Sequence, residues 1–121
     1  MSGKGLEHIE WRSNCPLSSA LDLLGDKWSL LILRDLYMQD TMAFSDFLKS
    51  PERISTNILT ARLKKLKDCG LIEQVPAEGT RFKLYNLTQM GRDLDIALKP
   101  LTAWSEKHLR SHHPEMYKIQ L

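Results

Sequence analysis

Residues 53–72 read RISTNILTARLKKLKDCGLI. Leu59, Leu63 and Leu66 recur at the spacing of one helical face. Among them stand Asn57, Thr60, Lys64 and Lys65, short hydrogen bonders mixed with cations. With Leu59 at 0° and about 100° per residue, Leu63 falls near 40° and Leu66 near 340°. On the same scale of about 100° per residue, Thr60 lies near 100°, Lys64 near 140°, Asn57 near 160° and Ala61 near 200°, opposite the leucines. Both ends of this helix are written locally. Ser55 is its N-cap, and Ile54 and Leu59 stand where a hydrophobic staple would place them. Gly70 occupies the C′ position, with Leu71 able to touch Leu66.

Working outward, FSDFLK (residues 44–49) predicts a short helix, ended by the loop SPER, because Pro51 forbids simple continuation. On the other side, LIEQV and RFKLYNL read as two strands around PAEGT, a hairpin with Gly79 at its tip. A short helix, a turn, a capped second helix and a hairpin make a winged helix-turn-helix. In that arrangement the second helix enters the DNA major groove with its N-terminal residues on base edges.

Further out, Pro16 suits the first turn of a helix carrying Leu17, Ala20, Leu21 and Leu24 and stopping at Gly25. Asp26 is the N-cap of a second, central helix through KWSLLILRDLYM, with Trp28, Leu31, Ile32 and Leu36 around its girth. A turn is expected over residues 39–42. Thr88 caps a last long helix, residues 89–110, whose stripe is Leu94, Ala97, Leu98, Leu101, Trp104 and Leu109. Pro100 lies inside it and should kink or split it. The fold class is mainly α with a small β-hairpin wing. The chain of 121 residues is expected to be one domain. Its parts are an N-terminal arm (1–14), N-terminal helices (15–38), the helix-turn-helix (44–70), the wing (71–87) and the C-terminal helix (88–110).

The composition, 42% hydrophobic and 26% charged, is that of a globular chain. No apolar run approaches a membrane span, and MSGKGLEHIE lacks the apolar core of a signal peptide, so a cytoplasmic protein is expected. Two cysteines, Cys15 and Cys69, neither make a disulfide scaffold nor fit a zinc spacing. His8, His108, His112 and His113 are scattered near the termini without partner ligands, and no metal or cofactor is expected. No nucleophile elbow, P-loop or dinucleotide fingerprint is present, which argues against an enzyme. The net charge is +2, yet residues 49–83 carry eight Lys and Arg against four Asp and Glu, a segment charge of 8 − 4 = +4. Clustered positive charge on a near-neutral chain favours a polyanion at one face.

These features nominate double-stranded DNA as the partner. Thr56, Asn57, Thr60 and Lys64 would face the major groove, where Asn bonds adenine and Lys reaches guanine or phosphate. Ser55 opens the helix N-terminus, whose N–H groups suit a phosphate. Lys65, Lys67, Arg81 and Lys83 would contact phosphates. Arg62, at about 300° on the same scale, borders the packed face and could bridge to an acidic neighbour or reach a phosphate.

The chain resembles the HxlR family of bacterial winged-helix transcriptional regulators, whose fold is related to that of MarR-type regulators. The resemblance spans residues 15–109. It rests on CPLSSALDLLGDKWSLLILRDL, FSDFLKS, ISTNILTARLKKLKDCGLI, and YNLTQMGRDL followed by LKPLTAW. It implies a homodimer joined through N- and C-terminal helices, binding inverted-repeat operators with paired recognition helices; a repressor is expected rather than an activator. Trp11 and Trp104 would then lie at that junction, unless they pack within one chain. Gln74 departs from the arginine that members commonly carry shortly after Gly-Leu-Ile. Cys15 aligns with a cysteine that senses oxidants or electrophiles in some members, and a small-molecule or oxidant effector is implied with it. The positive end of a helix favours the reactive thiolate, while the alternative for Cys15 is plain packing. The rivals in function are a winged-helix protein-interaction module that never touches DNA and a thiol redox enzyme.

Overall fold

In the computed structural model, which describes residues 5–77, 79 and 82–121, Pro16 opens helix α1 (Pro16–Leu24), and Gly25 closes it. Helix α2 (Ser29–Gln39) starts where the Asp26 carboxylate accepts the N–H groups of Trp28 and Ser29, each at 2.8 Å. Its inward residues Ile32, Leu33 and Leu36 are buried, which makes it the central helix. Strand β1 (Met42–Ala43) leads into the single turn of α3 (Phe44–Phe47), and α4 (Thr56–Asp68) follows. Strands β2 (Ile72–Val75) and β3 (Leu84–Leu87) come next, then α5 (Gln89–Arg92) and α6 (Asp95–Leu109). A 3-10 turn, Arg110–His112, precedes the C-terminal residues.

Helix α4 has both expected ends. The Ser55 hydroxyl accepts the Ile58 N–H at 3.2 Å. At the other end Gly70, at φ 83°, donates to the Lys67 carbonyl while Leu71 donates to that of Leu66. This paired Schellman arrangement needs the left-handed conformation that glycine adopts without a Cβ penalty. Leu59, Leu63 and Leu66 are buried against Leu33, Leu36, Phe47, Ile72 and Leu87 in one core cluster. Burial of each leucine contributes about 2 kcal/mol by transfer from water.

Two expectations on element order are corrected. The wing is not an isolated hairpin but part of a three-stranded antiparallel sheet ordered β1-β3-β2. Met42, expected in a turn, pairs with Tyr85, while Ile72 pairs with Leu87 and Val75 with Leu84. Two residues are too few to show an alternating pattern, and their pairing is made across some forty positions of chain. An edge on Tyr85 also brings that ring against Phe47, at 6.2 Å between centroids.

The second correction concerns the last helix. It divides between α5 and α6 rather than at Pro100, which stays inside α6. The Tyr37 hydroxyl donates to the carbonyls of Gly91 and Arg92. It thereby takes the Arg92 acceptor that a continuous helix would give to Ile96. Gly91 itself packs so close to the residue before β2 that a Cβ there would meet the Leu71 carbonyl oxygen at 2.2 Å. The packing of α5 against Tyr37 and Leu71 therefore sets the break. Pro100 removes a single intrahelical bond, and the rest of α6 tolerates that loss. No helix among the described residues is long and apolar enough to cross a membrane.

Candidate nucleic-acid interface

Helix α4 presents Thr56, Asn57, Thr60, Ala61 and Lys64 as its exposed face, opposite the buried leucines. The Asn57 amide makes no hydrogen bond among the described residues, so its donor and acceptor are both available to a base edge. Thr60 differs: its hydroxyl donates to the Thr56 carbonyl at 2.8 Å, leaving the oxygen lone pairs and the methyl outward. Lys64 reaches Asp68 at 2.8 Å, but its side chain remains 72% exposed. An exposed i,i+4 pair of this kind is worth only tenths of a kcal/mol, roughly 0.3–0.5, and yields readily to a phosphate. Ser55 is exposed and already spends its oxygen on the cap.

The helix does not stand alone. A groove of about 450 Å³ runs between α4 and the wing. Thr60, Lys64 and Lys67 line one wall, and Gln74, Phe82 and Lys83 line the other. The fold thus brings Lys67 and Lys83 together across one concave surface. Arg81 lies outside the described residues. Phe82, 72% exposed on the wing, was not singled out from the sequence. Its signal was there in the run Arg81-Phe82-Lys83, an aromatic between two cations. Gln74, read only as a departure from a family pattern, faces the same groove.

Arg62 and Lys65 are placed otherwise. Arg62 Nε donates to Asp26 Oδ1 at 3.0 Å, and Lys65 Nζ lies 3.9 Å from Oδ2. One carboxylate therefore caps α2 and grips α4. Burial opposes its charge, but the Ser29 hydroxyl, the N–H groups of Trp28 and Ser29 and the Arg62 guanidinium outweigh that and lower its pKa to about 2. Of the two outcomes open to Arg62, the acidic neighbour is the one realised.

A second polar cluster holds the turn before α4. Arg34 and Asp35 are buried on α2, at 9% and 8% exposure. Arg34 takes the Glu52 carboxylate in a fork, at 2.7 and 2.8 Å, and its Nε donates to Asp35 at 2.9 Å. The Ser50 hydroxyl completes the set by donating to Asp35. The Glu52 bond raises the Arg34 pKa further, and the same bond lowers that of Glu52. Sequence reading missed this cluster, since an Arg-Asp dipeptide in an apolar helix carries no mark of its distant partners.

Cys15 is exposed, at the N-cap position of α1, with its N–H bonded to Ser13 Oγ at 3.2 Å. Cys69 is buried at the C-cap of α4, and burial pushes its thiol pKa up, which makes it a poor nucleophile. Among the described residues no group of three His, Cys, Asp or Glu side chains could hold a metal ion.

Comparison with known proteins places these features. Residues 23–113 match the family described as HxlR-like helix-turn-helix. The HTH-type transcriptional regulator YdeP of Bacillus subtilis is 31% identical over 99 residues, covering 78% of this chain and 73% of that protein. YodB of the same organism, also an HTH-type transcriptional regulator, is 32% identical over 95 residues, or 77% and 84% of the two chains. The chain spans 56% of some curated relatives. Among solved structures, PA1607 superposes with a TM-score of 0.78 at 36% identity, over 91% of this chain and 75% of that one. Reduced YodB superposes with a TM-score of 0.67 at 31% identity, over 79% and 95%. YodB has also been solved with a quinone bound, at a TM-score of 0.65.

Proposed function

This chain belongs to the HxlR-like helix-turn-helix family of transcriptional regulators, and we propose that it is a dimeric repressor reading an inverted-repeat operator through α4. As a member of that family it is a DNA-binding regulator and not an enzyme. The observation that carries the finer reading is the exposed face of Thr56, Asn57, Thr60 and Lys64, set beside a wing that bears Lys83 across a shared groove. Lys67, Lys83 and Arg81 act on phosphates, with Lys65 and Arg62 largely held by Asp26. The whole of residues 1–121 serves as one winged helix-turn-helix domain, working in the cytoplasm where the DNA lies.

The homodimer reading is supported by apolar side chains left outside the core. Leu17 and Leu21 on α1 are 69% and 48% exposed, and Ile96 and Trp104 on α6 are 81% and 54% exposed. A second copy is the occupant that would cover both helices at once and give the twofold symmetry of an inverted repeat. Half-sites would then lie about one helical turn apart, on the order of 34 Å. Cys15 is exposed immediately ahead of α1, and a relative has been solved with a quinone bound. Both support an effector that is an oxidant or electrophile acting near the dimer junction.

The test is titration of the protein with the DNA upstream of its own gene at several salt concentrations, with and without oxidant. Specific retention that weakens steeply with salt is expected. Retention of no duplex would favour the protein-interaction module instead.

A further inference from the structure

Helix α4 is held to the rest of the molecule in two different ways. Its leucines bury apolar area, a non-directional attraction that lets a helix rotate or slide by fractions of an ångström at small cost. At two places, however, directed ionic bonds fix it. Before its first turn, Glu52 is forked by Arg34 of α2, and Ser50 is tied to Asp35 of the same helix. Between them the chain closes a tight turn in which Arg53 donates to the Ser50 carbonyl at 3.0 Å. Arg53 itself sits at φ 59°, a left-handed conformation that is unfavourable for a non-glycine residue and persists only where neighbours dictate it. Ile54 is then buried and Ser55 caps the helix. At the middle of α4 and one turn on, Arg62 and Lys65 meet the Asp26 carboxylate that bonds the first N–H groups of α2.

We propose that Asp26 and Arg34 are positioning residues for operator reading: through Arg62 and Glu52 they fix the rotation and register of α4 on α2. This rests on the DNA reading given above and adds to it the residues that set the angle of the reading helix. Asn57 is five positions past Glu52 and five before Arg62, so Thr56, Asn57 and Thr60 lie between the two clamps and Lys64 just past the second. In a dimer the same clamps set the spacing between paired reading helices, because they tie the turn before α4 and its middle to α2 and to the turn that opens it.

The fork of Arg34 on Glu52 resists shear, since two parallel N–H···O bonds define a plane as well as a distance. Asp26 adds a charge consequence that a purely packing role lacks. It holds two cations that would otherwise be free for phosphates. Removing its charge therefore has opposite effects on the two modes of binding. Register loosens and specific binding falls, while freed Arg62 and Lys65 strengthen non-specific binding.

The experiment starts from the full chain and an operator selected from a random duplex library. Specific and non-specific affinities are measured across salt concentrations for wild type, Glu52→Gln, Glu52→Asp and Asp26→Asn. Operators with half-site spacing changed by one base pair are included. Glu52→Gln and Asp26→Asn should each lower the specificity ratio tenfold or more and flatten the spacing preference. Glu52→Asp should restore most of both, and Asp26→Asn should bind random duplex more tightly with a steeper salt slope. Arg62→Lys, which keeps the charge but loses the Nε bond, gives a second reading if either variant is poorly folded, and it too should lower the ratio. Ratios and spacing preference within twofold of wild type would overturn the proposal, as would specific and non-specific affinity rising together in Asp26→Asn. Failure of the wild type to select any sequence would overturn the DNA reading and this inference with it.

Discussion

Arg62 Nε lies 3.0 Å from Asp26 Oδ1, so this arginine faces the start of α2 and not the side of α4 that carries Asn57. The two cations Arg62 and Lys64, two positions apart in sequence, therefore do different work. Arg62→Ala should destabilise the fold by about 1–3 kcal/mol, because it removes the nearest cation from a largely buried carboxylate. It should change the salt slope of DNA binding by well under one unit. Lys64→Ala should leave stability nearly unchanged and lower that slope by about one. Urea unfolding and salt titration of both variants separate the two roles.

The Asp26 carboxylate has a folded pKa of about 2, below its ordinary value of 3.8. A depressed acid contributes stability that is complete above the unfolded value and is lost as pH falls through the folded one. Wild type should thus lose on the order of 1–2 kcal/mol from this group between about pH 4 and pH 2, after allowance for solvent screening. Asp26→Asn should be less stable than wild type at neutral pH, and the gap should narrow below pH 3. Thermal unfolding of both proteins across that range measures it.

Gly91 meets Leu71 where no side chain fits. Gly91→Ala should cost about 1–3 kcal/mol and lower the melting temperature by roughly 5–15 °C. Tyr37→Phe, which frees the Arg92 carbonyl, should cost about 0.5–1.5 kcal/mol. Calorimetry on the two variants shows whether this contact holds α5 in place.

Ile96, 81% exposed on α6, contributes little to the core of one chain. Ile96→Glu should leave the unfolding midpoint of the isolated chain nearly unchanged, yet shift the protein from dimer to monomer in analytical ultracentrifugation. Operator binding should weaken in step, with a steeper dependence on protein concentration. A monomeric wild type would contradict the dimer reading.

How much of this was legible in sequence depended on how far each signal reached along the chain. The limits of α4 were readable because Ser55, Gly70 and Leu71 act within one turn of the helix they bound. The start of α1 at Pro16 was local in the same sense, and Asp26 does bond the first N–H groups of α2, although the N-cap position expected for it falls on Trp28 and the helix begins at Ser29. Strand β1 was not, since Met42 becomes a strand residue only by meeting Tyr85. Pro100 was a real but weaker signal than the unseen hydroxyl of Tyr37, fifty-five positions from the Arg92 carbonyl it takes. On the site, angular spacing separated Asn57, Thr60 and Lys64 from the leucines. It also put Arg62 at the border, and only the fold could supply Asp26 as its partner. The Arg34–Glu52 fork lay beyond any pattern, being a contact between a buried arginine and a loop carboxylate eighteen residues on.

The central claim is that α4 reads sequence through its exposed face, and Asn57 tests it most directly. Operators are selected from a random duplex library with wild type and with Asn57→Ala, and both proteins are then titrated against both selected sites at one fixed salt concentration. The account predicts that Asn57→Ala loses about 1–3 kcal/mol on the wild-type operator, relaxes preference at one base position in each half-site, and keeps its affinity for random duplex. Unchanged affinity together with an unchanged selected sequence would contradict it.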